Sequence, residues 1–105
     1  MMITIAEATA VIHNLPTEFD SHDFINSYLT LFEREYVNML MENIECDGIF
    51  RIVNSKIGRF LVDNQSELHI DKDIRVSSPN VRGHMTENQS WRKTNYNNCN
   101  IPGRS

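Results

Sequence analysis

Glycine, proline and cysteine are all scarce in this 105-residue chain, at four, three and two residues. So few glycines leave no G-x-G-x-x-G and no Walker loop to cradle a phosphate, and no G-x-S-x-G elbow to expose a nucleophile. Cys46 and Cys99 lie far apart, without a C-x-x-C partner. Two such residues do not make a disulfide framework, so both are expected to be reduced thiols in a cytoplasm. His13, His22, His69 and His84 are scattered, with no H-x-x-x-H or H-E-x-x-H spacing to grip zinc. Asp71-Lys72-Asp73 lacks the remaining positions of a calcium loop and reads as a solvated turn. No apolar run approaches the roughly 20 residues that span a bilayer, and Met1 to Glu7 lacks the basic stretch of a secretory signal. These absences set the expectation of a non-catalytic protein with no cofactor, no metal and no membrane segment.

Hydrophobic residues make up 40% of the chain, including five Phe, three Tyr and one Trp. That supplies one modest core in a single domain, without a deep cofactor cavity besides. Net charge is −4, but its distribution says more than its total. Residues 1–48 carry nine carboxylates against Arg34 alone; residues 49–105 carry nine cations against five carboxylates. The asymmetry suits one face for an anionic partner, or contacts between the two halves of neighbouring molecules.

Thr4 followed by Glu7 has the capping-box spacing, and Ile5, Ala8, Val11, Ile12 and Leu15 then recur at helical intervals until Pro16 stops the first helix. Thr17-Glu18-Phe19 reads as a link. Asp20 or Ser21 can cap a second helix, and His22 and Asp23 at its start are read as capping and dipole chemistry, not as catalytic groups. Phe24, Tyr28, Phe32, Tyr36 and Leu40 repeat every four residues, which predicts a central helix reaching Asn43 unbroken or bending near Thr30. Gly48 is available for a left-handed turn. A third helix follows, with Phe50, Val53, Ile57, Phe60 and Leu61 on one side and Arg51, Ser55, Gly58, Arg59 and Val62 on the other.

After Leu68 the period shortens. Leu68-His69-Ile70 and Ile74 to Ser77 are strand-like, Pro79-Asn80 marks a turn, Val81 restarts a strand, and Asn88 to Lys93 forms a last strand or a turn carrying Trp91. Trp91 is expected to cover an edge of the core. The domain is placed at 1–93, with 94–105 a flexible polar tail.

The predicted fold is mainly α with a small antiparallel β element, and its order of three helices followed by a β-rich segment resembles that of winged helix-turn-helix domains. The resemblance implies that the third helix is a recognition element and that the segment around Pro79 is a wing. Arg51, Ser55, Lys56 and Arg59 on that helix, with Gly58 allowing close approach, are the candidate contacts to bases and phosphates of double-stranded DNA. Arg75 and Arg82 would reach phosphates from the wing, with Ser77, Ser78 and Asn80 as neutral donors. The competing expectation is an interaction module, in which the aromatic second helix and the acidic rim of Glu33, Glu35, Glu42 and Glu45 bind a second copy or another protein.

Overall fold

The computed structural model describes residues 3–94; the expected tail and Cys99 lie outside them. The chain forms five helices and a three-stranded antiparallel sheet. In order these are α1 (Ile5–His13), β1 (Glu18–Asp20), α2 (Ser21–Leu31), α3 (Glu33–Glu42), α4 (Ile49–Asp63), α5 (Gln65–Leu68), β2 (Ile70–Pro79) and β3 (Met85–Lys93).

Two helix starts follow from local chemistry. The Thr4 hydroxyl accepts from Glu7 N while Glu7 Oε1 accepts from Thr4 N, both at 3.1 Å. Asp20 and Asp23 repeat the arrangement at α2, at 2.8 and 3.0 Å. Each reciprocal cap satisfies two otherwise orphaned N–H groups and stabilises its helix by about 1 kcal/mol.

The segment expected as one long helix is two. Thr30 Oγ1 donates to the Asn26 carbonyl at 2.9 Å, a back-bond that bends helices. Phe32 then leaves helical geometry, at φ −130° and ψ 52°. The break turns the chain so that Tyr28 and Tyr36 both enter the core, at 0% and 1% exposure. Burial pushes both phenols above their ordinary value of 10, and at Tyr28 the nearby Glu7 carboxylate adds to the rise. The unfolded chain therefore releases phenolic protons before the folded one does, and stability falls as pH rises above 10. Thermal melts between pH 8 and 11 are expected to show Tm dropping at the alkaline end, with a shallower drop in Tyr28→Phe.

The residues expected as a link, Glu18–Asp20, form β1, and the sheet runs β1-β3-β2. Phe19 lies opposite Trp91, and Glu18 opposite Arg92, whose guanidinium is 2.6 Å from its carboxylate. Trp91 does not cover an edge: it is fully buried, and its indole N–H donates to Ser21 Oγ at 3.0 Å. Leu68 closes α5, and the left-handed His69 (φ 56°) turns the chain into β2 at Ile70. Asp71-Lys72-Asp73 is strand, not turn. Its register slips between Lys72 and Arg75, and Gln89 Nε2 donates to the Asp73 carbonyl across the bulge at 2.6 Å. Val81 belongs to the hairpin turn, and the last strand begins at Met85.

Candidate functional site

Helix α4 packs Val53, Ile57 and Leu61 into the core at zero exposure. At 100° per residue, Arg51, Ser55, Gly58 and Val62 then share the stripe turned toward the β2–β3 hairpin. A cleft of about 570 Å³ separates helix from hairpin. Its size was not foreshadowed by the composition, because it lies between elements and not inside the core.

Four of the six residues singled out in the sequence line this cleft: Arg51 and Ser55 from α4, Arg75 from β2, and Arg82 from the hairpin turn. Lys72 joins them, giving four permanent cations against one lining carboxylate, Glu87. None of these cations is ion-paired among the described residues, where the ion pairs described involve Arg92 with Glu18 and Asp73. Four cations facing one another without counter-charges set up a local positive potential in a protein of net negative charge. Lys56 and Arg59 do not line the cleft. The Lys56 ammonium points toward α3 and donates to Asn43 Oδ1 at 3.1 Å, while Arg59 is exposed on the outer side of α4.

The hairpin is held over α4 by specific contacts. Asn80 Oδ1 accepts from the backbone N–H groups of Arg82 and His84, at 2.9 and 3.1 Å, and Gly83 takes φ +83°. This tight turn aims Arg82 back at the helix, where its guanidinium carbon lies 5.4 Å from the centre of the Phe50 ring. Asn80 and Ser78 are thereby committed to the fold, contrary to their expected role as free donors.

The floor of the cleft is a buried polar cluster. His22 Nδ1 lies 2.9 Å from Ser78 Oγ and 3.1 Å from the Ser78 carbonyl, and Nε2 lies 3.3 Å from Thr86 Oγ1. Asn88 Oδ1 accepts from His22 N at 3.0 Å, and its amide donates to Ser78 Oγ at 3.1 Å. These bonds tie the start of α2 to both strands of the hairpin, which fixes the angle between hairpin and α4. His22 is thus a structural tie as well as part of a helix start, a role its sequence neighbours do not reveal.

No protein-family model, curated protein or solved structure matches this chain. The chemistry of the site therefore rests on its own geometry. Among the described residues no three His, Cys, Asp or Glu side chains are grouped to hold a metal ion, and no helix is long and apolar enough to cross a membrane.

The aromatic residues expected to form a surplus stripe for a partner are largely absorbed: Phe24, Tyr28 and Tyr36 are buried in the chain's own core. What stays exposed is an apolar run on α3 and just beyond it, Val37, Met41 and Ile44, at 45%, 60% and 54%.

Proposed function

We propose that this protein binds double-stranded DNA without catalysis, with α4 entering the major groove and the β2–β3 hairpin acting as a wing. The observation that carries the reading is the unpaired cation set, Arg51, Lys72, Arg75 and Arg82, on the two walls of one cleft. A helix in the major groove and a hairpin over the neighbouring minor groove leave the phosphate ridge between them, where these cations stand. The element order α1-β1-α2 through α4-β2-β3, with β3 central in the sheet, agrees with a winged helix-turn-helix carrying α3 as an additional helix. Ser55 and Arg59, exposed on α4, are the candidates for base edges, and Arg51 and Arg75 for phosphates.

The test is fluorescence anisotropy with a mixed-sequence duplex across a salt series. Log affinity is expected to fall linearly with log salt, and the Arg51→Ala/Arg59→Ala variant to bind more weakly with a slope shallower by about 2. No duplex binding at low salt would overturn the reading. A second reading, an adaptor or homodimer joined through Val37, Met41 and Ile44, is favoured by their exposure on one side of α3. It predicts concentration-dependent mass in light scattering, abolished by Met41→Glu, whatever DNA does.

A further inference from the structure

We propose that the inner part of the cleft holds one unpaired nucleotide, a nucleoside monophosphate unit either within a strand or free in solution. The inference deepens the duplex reading and rests on it for the phosphate role of the cationic rim. A phosphate ridge alone needs cations and hydrogen-bond donors, yet the walls below the rim also carry Phe50, Val62 and Val81. A base-paired nucleotide keeps its base inside the duplex, so only an unpaired one reaches this depth.

Three further observations fit a base and its sugar. Gly58 sits within α4, where glycine weakens a helix relative to alanine. An added Cβ there meets nothing within 4 Å, so packing does not call for glycine; the bare backbone instead leaves room for whatever fills the cleft. The Arg82 guanidinium over Phe50 presents a flat, cationic platform, on which a base stacks as it does on other arginine planes. The wall amides also offer a matched pair of groups. Asn54 Oδ1 accepts from the Tyr36 hydroxyl at 2.8 Å, and Gln89 Nε2 donates to the Asp73 and Ser90 carbonyls at 2.6 and 3.0 Å. Among the described residues this leaves Asn54 Nδ2 as a donor and Gln89 Oε1 as an acceptor, the complement of a base edge. The volume of about 570 Å³ falls in the range of about 300–1,000 Å³ usual for small-ligand sites.

The experiment compares a fluorescein-labelled oligothymidylate with a labelled duplex, both by anisotropy at low salt, using the full chain and Gly58→Leu. Leucine is a better helix former than glycine and projects into open space, so the variant is expected to fold and to melt no lower than the parent. Filling the cleft is expected to lower oligothymidylate affinity about tenfold or more while duplex affinity changes less than about twofold. Competition by millimolar thymidine monophosphate assigns the site to the free nucleotide as well; failure to compete assigns it to a nucleotide within a strand. Oligothymidylate binding that is absent, or unchanged in Gly58→Leu, would overturn the nucleotide site while leaving duplex binding standing. Loss of duplex binding alone would overturn the duplex reading and leave the nucleotide site.

Discussion

Trp91→Ala is expected to unfold the domain or bring it to the edge of unfolding. Truncating a buried Trp or Phe costs about 3–5 kcal/mol, against a total of about 5–15 kcal/mol for a typical domain. Here the loss falls at a junction. Trp91 is fully buried on the central strand, faces Phe19 on β1, and donates to Ser21 at the start of α2. Alanine leaves a cavity among three elements and removes the donor bound by a buried hydroxyl. Circular dichroism melts and urea titrations are expected to show a Tm lower by roughly 15 °C or more, or no cooperative transition. Trp91→Phe, which keeps most of the volume, is expected to lose less than half as much. A near-parental melt for Trp91→Ala would mean that the sheet and α2 hold together without it.

Reversing charge in the cleft is expected to have the largest effect on binding. Arg51→Glu/Arg75→Glu places a carboxylate on each wall in place of a cation, and both side chains are exposed, so the fold has little stake in them. Duplex affinity at low salt is expected to fall on the order of a hundredfold, because attraction to phosphate becomes repulsion at two sites. Lys56→Glu makes the same kind of charge change three residues before Arg59 but on the side facing α3, and is expected to cost only a few-fold. The contrast separates a response to cleft geometry from one to net charge alone. Equal losses in the two variants would remove the cleft from the binding surface.

The local parts of this fold are written in neighbouring residues. Thr4 with Glu7 and Asp20 with Asp23 announce their helices because a cap needs only side chains three apart. Gly48 likewise announces the left-handed start of α4, at φ +67°. The division between α2 and α3 is less legible, since Phe32 is neither glycine nor proline and the turn there depends on where two tyrosines must be buried. Strand β1 is hidden because three residues carry no period; it exists because Phe19 meets Trp91 some 70 residues later. The same distance hides the site. Arg51, Ser55, Arg75 and Arg82 were nameable as cations or donors on two elements, but only the His22–Ser78–Asn88 tie brings the elements face to face. It also turns Lys72 inward to join them and leaves Lys56 outside.

The central place of β3 also sets a timetable for the chain's birth. Strands β1 and β2 do not touch each other; each finds its hydrogen-bonding partner only in β3, the last element of the described residues. At roughly 5–20 residues per second, several seconds separate the making of Phe19 from that of Trp91. During that interval the helices are complete while Phe19 and Ile70 lack the strand that buries them. The nascent protein must wait, with an unpaired edge exposed, for its final third to arrive.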